Sequence, residues 1–293
     1  MQATNPWDDY WRNNDSTNSF EFDYSTTDGP YGVVNKFWQN TYKTFLTDAT
    51  IVDIAAGNGA LSNLYLQCSD VPSFKQWWNV DSAQTQALVK HEAIQYTLAS
   101  AESLPFSDNS IQHFVSMFGI EYSSLERSLS EVKRCLSVNG TSIFMLHHHQ
   151  SIISQQSRIT VSVLSRLVSS SLFNNLESYQ SLSNLKQHLL SSLNNSLAVS
   201  KPHEQDDVKI VGQQVFNIIQ QNQSCENTVV LLCELKSQLI HQTTRLEQQL
   251  CAADQSSGLG DIAKHSQYEE FDISVLTYQD NVLAWTFSYQ QTV

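Results

Sequence analysis

Between residues 50 and 146, short apolar runs alternate with stretches of helical spacing, and few folds accommodate that alternation. The runs fall at 50–55, 76–80, 94–99, 111–117 and 141–146, with helices expected near 59–68, 84–91 and 124–136. A strand that is apolar on both faces must be covered on both faces, and strands joined through helices run parallel. The pattern therefore predicts the α/β class, with βαβ units wound about a mostly parallel sheet. Asn139-Gly140 predicts a turn just before the fifth strand. Further on, 271–278 and 282–289 read as strands around Gln279-Asp280-Asn281, a connection so short that the two must be antiparallel.

The flanks differ in character. Residues 1–48 are aromatic and polar, carrying Trp7, Tyr10, Trp11, Phe20, Phe22 and Tyr24 before a loop at Asp28-Gly29-Pro30 and a helix over about 31–46. Residues 150–265 are rich in Ser, Gln, Asn and Leu at helical spacing and read as about four helices, with Pro202 separating two halves. The expected organisation is an N-terminal cap over 1–48, a core made of 49–149 and 266–293, and a helical insertion over 150–265. Because the insertion leaves the sheet at the end of the fifth strand, it is expected to cover a ligand pocket there or to form the interface of a homodimer.

Several functions are made unattractive by composition. A net charge of −13, from 16 basic and 29 acidic residues, repels a phosphate backbone, so general nucleic-acid binding is not expected. No apolar stretch reaches the roughly 18 residues that a membrane span needs, and no secretory signal is read at the N-terminus. The five cysteines are scattered with no CxxC pair, so neither a metal site nor a disulfide framework is expected. A cytoplasmic protein with reduced thiols is the simplest expectation.

The chemistry-bearing feature is the loop after the first strand, Asp53-Ile54-Ala55-Ala56-Gly57-Asn58-Gly59. A Gly-x-Gly turn lets the backbone approach a ligand closely, and the following helix presents free N–H groups. Asp81 closes the second strand about twenty residues later, where a carboxylate can accept both ribose hydroxyls of an adenosine. The same residue could equally cap the segment that begins at Ser82. A dinucleotide fingerprint would want a third glycine or alanine where this chain has Ser62.

These residues resemble the class I S-adenosylmethionine (SAM)-dependent methyltransferases, in particular the small-molecule type that includes ubiquinone-biosynthesis enzymes. Asp53-x-x-x-Gly57-x-Gly59 is similar to that family's first motif and Asp81 to its ribose-binding acid. Ala101-Glu102-Ser103-Leu104-Pro105-Phe106-Ser107-Asp108-Asn109-Ser110 is similar to its AExLPFxDxS stretch. The segment from Leu129 to Gly140 is similar to its ExxRxLxxGG helix and turn. The resemblance implies a seven-stranded sheet with an antiparallel last strand. It implies SAM as cofactor, held by Asp53, Ala55, Gly57, Gly59, Asp81, Ala101, Glu102 and Met117, with Trp11 closing over the sulfonium. Ala55 stands where the family has its first loop glycine, which a negative φ would accommodate.

The acceptor side is expected after the fourth strand, where Phe118, Glu121 and Tyr122 would line a pocket and Gly119 would let the backbone come close. Of His147-His148-His149, His148 is the favoured general base, although a strand-end polar cluster with no chemical role accounts for the same residues. The expected activity is methyl transfer to O, N or C of a small, apolar molecule. An RNA or protein methyltransferase, a non-catalytic SAM-binding protein and a nicotinamide-dependent oxidoreductase are the competing readings.

Overall fold

A computed structural model describes residues 6–17, 26–221 and 224–292. Phe20, Phe22 and Tyr24 therefore lie outside the described residues. The described chain divides into two compact units, Met1–Ser154 with Cys251–Val293, and Gln155–Leu250.

The first unit is built on seven strands: β1 (Ala49–Ile54), β2 (Phe74–Asp81), β3 (Ile94–Leu98), β4 (Ile111–Met117), β5 (Leu136–His147), β6 (Asp272–Tyr278) and β7 (Asn281–Gln290). Their order across the sheet is β3-β2-β1-β4-β5-β7-β6. Neighbours from β3 to β5 are parallel, while β7 is antiparallel to both β5 and β6. The expected mostly parallel, doubly wound sheet with an antiparallel last strand is what forms. Chain order reverses direction between β1 and β4, the place where open α/β sheets leave a crevice at their carboxyl ends.

Both faces of the sheet are covered. In β1, Ala49 and Ile51 pack on one side with Trp38 and Tyr42 from α2 (Gly29–Tyr42) and Leu61 and Leu64 from α3 (Ala60–Gln67). Val52 and Ile54 face the other side, against Leu125, Leu129 and Val132 of α4 (Leu125–Cys135) and Leu259 and Ala263 of α9 (Leu259–His265). Successive strand residues point to opposite faces, so an unbroken apolar run is what a doubly covered strand requires. Among the described residues, the N-terminal segment also forms α1 (Pro6–Asn13).

Two local expectations give way. No helix forms over 84–91, although the residues there are compatible with one. Its backbone N–H groups are taken by side chains outside it: Gln84 donates to Asp8 (2.9 Å), Gln86 to Asn58 Oδ1 (2.8 Å) and Val89 to the Tyr96 hydroxyl (3.1 Å), while Ala83, just before it, donates to Asp81 Oδ1 (2.8 Å). Ala87, with φ of 51°, also leaves the helical region. Asn139-Gly140, expected as a turn, instead lies inside β5, where the β4 pairing shifts between Ile111 and His113. Asn139 takes a φ of 63°, so the turn chemistry survives as a bulge.

The helical segment contains α5 (Ile152–Ser169), α6 (Leu182–Val199), α7 (Gln205–Gln221), α8 (Cys225–Gln255) and α9, one more than expected. A short 3-10 turn at Pro202–Glu204 separates α6 from α7. The unit Gln155–Leu250 has its own core, with Leu167, Leu189, Val211, Val215, Leu232 and Leu235 buried together. Their three- and four-residue steps are the amphipathic spacing of the sequence made concrete. No described helix is long and apolar enough to cross a membrane.

Candidate active site

The crevice at the β1–β4 switch holds a cavity of about 80 Å³ lined by Trp7, Trp11, Ala55, Asp81, Ala83, Phe118, Gly119 and Tyr122, with Ser82. Its floor is fixed by Ser116, whose hydroxyl donates to the Ile54 carbonyl (2.7 Å) and accepts from Ile120 N–H (3.0 Å). One side chain thus ties the end of β1 to the turn after β4.

Asp81 stands at the end of β2 as expected. Its Oδ2 accepts from Gly57 N–H and its Oδ1 from Ala83 N–H, both at 2.8 Å. Capping and ligand binding are compatible, because a carboxylate offers about four lone pairs and two are in use. Burial holds the carboxyl of Asp81 above its usual range, against the pull of those backbone donors. Asp53, facing the interior one strand over, is held well above its usual range by burial first and by the charge of Asp81 second. Its Oδ2 has no hydrogen-bond partner among the described residues.

The loop between them is unusual. Gly57 has φ of 53°, and a Cβ there would lie 2.4 Å from the Trp11 indole, so the tryptophan uses the glycine's missing side chain. Gly59, at φ of 98°, serves packing instead: a Cβ would meet the Tyr96 hydroxyl at 2.4 Å. Ala55 does not take the negative φ that would accommodate it; its φ is 54°. The left-handed conformation costs a non-glycine residue about 1–2 kcal/mol. Its methyl group is accommodated because Gly119 faces it, where a Cβ would come within 2.7 Å of Ala55 Cβ.

Asn58, between the two glycines, joins the N-terminal segment to the loop. Its Nδ2 donates to the carbonyls of Trp11 (3.3 Å), Asn14 (2.8 Å) and Ser16 (3.2 Å), while its Oδ1 accepts from Gln86. Nothing in the sequence singled out Asn58 beyond its position. In α1, Trp7 and Trp11 stack at 6.4 Å, so the helical spacing of these aromatics does place one face over the cavity.

The other side residues separate. Phe118, with φ of 54°, lines the cavity and stacks on the His147 ring at 4.6 Å. Tyr122 lines it too, and its hydroxyl lies 3.3 Å from His147 Nε2. Glu121 is fully buried behind them, and its Oε1 accepts from His147 N–H at 2.7 Å. Burial pushes its carboxyl up to about 7 and the His147 imidazole down to about 3. Desolvation also holds the Tyr122 phenol well above its usual range, so the Tyr122–His147 pair is neutral at neutral pH. His148 is turned away, stacked on Trp285 (4.4 Å) and His149 (4.7 Å), and its Nδ1 accepts from Gln150 N–H. Strand alternation could have indicated this, since His147 shares a face with Met145 and His148 does not.

Asp53, Gly57, Gly59, Ala101, Glu102, Met117 and Glu121 are not among the residues lining the cavity. Ala101 packs on the core, Met117 packs beneath the α2–α3 face, and Glu102 Oε1 accepts from Ser124 N–H at the start of α4 (2.9 Å). No cluster of metal-ligating side chains occurs among the described residues.

Residues 52–144 match the family model described as a methyltransferase domain. Among solved structures, a candidate methyltransferase from Haloferax volcanii, in complex with a methyltransferase activator, is 18% identical with a TM-score of 0.36. That alignment covers 43% of this chain and 60% of the other. A SAM-dependent methyltransferase from Mesorhizobium loti is 18% identical over 42% of this chain and 57% of its own, with a TM-score of 0.36. A candidate SAM-dependent methyltransferase from Methanococcus maripaludis is 13% identical over 95% of this chain and 98% of the other, with a TM-score of 0.44. The chain thus spans under two thirds of the first two of these structures. No curated protein matches it.

Proposed function

We propose that this chain, whose residues 52–144 match a methyltransferase-domain model, is a class I SAM-dependent methyltransferase that transfers the methyl group of SAM to O, N or C of a small molecule. The observation that carries the reading is the cavity at the β1–β4 switch, where Asp81, the Ala55 and Gly119 backbone and an aromatic wall converge.

The residues present fit the cofactor. The two lone pairs left on Asp81 suit the ribose hydroxyls. Asp53 Oδ2 is a buried acceptor with no partner among the described residues, in the strand that leads into the loop. Trp7 and Trp11 provide π faces for a sulfonium. SAM, when bound, supplies an activated methyl group, so the protein needs mainly to position the acceptor and exclude water. Tyr122 is the residue best placed to do so. Its hydroxyl can donate to neutral His147 Nε2, which leaves the phenol oxygen to accept a hydrogen bond from an acceptor hydroxyl or amine. His147 thereby acts as a positioning residue in place of His148.

The test is transfer of label. The full chain, incubated with methyl-labelled SAM and a cell extract divided into small-molecule, RNA and protein fractions, should place label in the small-molecule fraction. The acidic surface supports this outcome over RNA. Label confined to RNA or protein would replace the small-molecule reading.

A further inference from the structure

A second cavity, of about 90 Å³, adjoins the first through a single side chain. It is lined by Pro30, Tyr31 and Val34 of α2, Phe118 after β4, Ile152 and Ile153 at the start of α5, and Leu283 of β7. Every one of these residues but Tyr31 is apolar, and the tyrosine, 39% exposed, is the most open of them. Phe118 lines both cavities.

The boundary residue is held there at a cost. Phe118 follows β4 directly and takes a left-handed φ of 54°, which a bulky residue adopts only where its surroundings enforce it. The enforcement is visible: its N–H donates to the Met145 carbonyl at 2.7 Å and its ring stacks on His147. The ring is 8% exposed and divides a cavity with a carboxylate and a phenol from one with almost no polar surface. Water in the second cavity would find few partners, so it is a site for hydrocarbon.

We propose that this second cavity receives a hydrocarbon portion, aliphatic or aromatic, of the methyl acceptor, and that Phe118 sets the distance between that portion and the atom to be methylated. The inference rests on the methyltransferase reading for the word acceptor and on the cavity alone for the word hydrocarbon. An acceptor so bound has its polar end beside Tyr122 and its apolar end among Val34, Ile152 and Leu283.

The experiment uses a homologous series of primary alcohols, 1-butanol to 1-octanol, binding to the full chain saturated with S-adenosylhomocysteine. Affinity is read by displacement of a fluorescent apolar dye. Each added methylene should tighten binding by about fourfold until the cavity is full. Val34→Phe and Ile153→Phe, which fill the cavity from different elements, should each shorten the longest alcohol that gains affinity. Both should leave the melting-temperature rise caused by S-adenosylhomocysteine unchanged. Affinity independent of chain length in the unmodified protein, or unaffected by both substitutions, would overturn the proposal. Alcohol binding without any S-adenosylhomocysteine binding would also overturn it, since the cavity would then be an apolar site with no methyl donor beside it.

Discussion

Asp81→Ala is expected to raise the dissociation constant for S-adenosylhomocysteine by at least about a hundredfold. Two hydrogen bonds to a charged acceptor, worth about 1.5–3 kcal/mol each, are removed from the ribose hydroxyls. Part of the loss is indirect, because Asp81 also holds Gly57 N–H and Ala83 N–H. Asp81→Asn separates the contributions: it keeps the shape and one acceptor oxygen while removing the charge, and it should bind with intermediate affinity. Removing the charge also relieves one of the two influences that hold the Asp53 carboxyl up. Titration calorimetry on variants that melt cooperatively checks this. Unchanged affinity in both would reduce Asp81 to a clamp between the two loops.

Gly57→Val should abolish measurable cofactor binding while the chain still folds. The position has φ of 53°, which a β-branched residue resists, and the new Cβ would start 2.4 Å from the Trp11 ring. The indole must move, and with it the aromatic wall over the cavity. The sheet does not depend on this contact, so circular dichroism should be near normal and the melting temperature somewhat lower. Gly59→Val provides the contrast: its clash is with the Tyr96 hydroxyl, so it should disturb the packing of α3 and the 82–92 segment first. A folded Gly57→Val protein that binds S-adenosylhomocysteine normally would move the site elsewhere.

The sheet was legible because its strands are apolar on both faces, and only burial from both sides explains a run such as Ile51-Val52 next to Phe114-Val115. The terminal hairpin was legible from its turn residues. Local propensity failed where long-range hydrogen bonds decide. The segment 84–91 has helix-compatible residues, yet its N–H groups find Asp8 and Asn58, far away in sequence, and the Tyr96 hydroxyl on the next strand. The site divided along the same line. Asp81, Gly57 and the α1 tryptophans follow from strand ends and helical spacing. The choice between His147 and His148 depends on which face of β5 each occupies, and the second cavity depends on α2, α5 and β7 meeting at Phe118. Ala55 shows the limit from the other direction: its left-handed φ is tolerated because Gly119, distant in sequence, leaves room for its methyl group.

Titration calorimetry of the full chain with S-adenosylhomocysteine and, separately, with NAD tests the cofactor assignment most directly. Saturable binding of one S-adenosylhomocysteine per chain, with no heat from NAD, is the predicted result. Saturable binding of NAD with none of S-adenosylhomocysteine would contradict the methyltransferase assignment of the cavity.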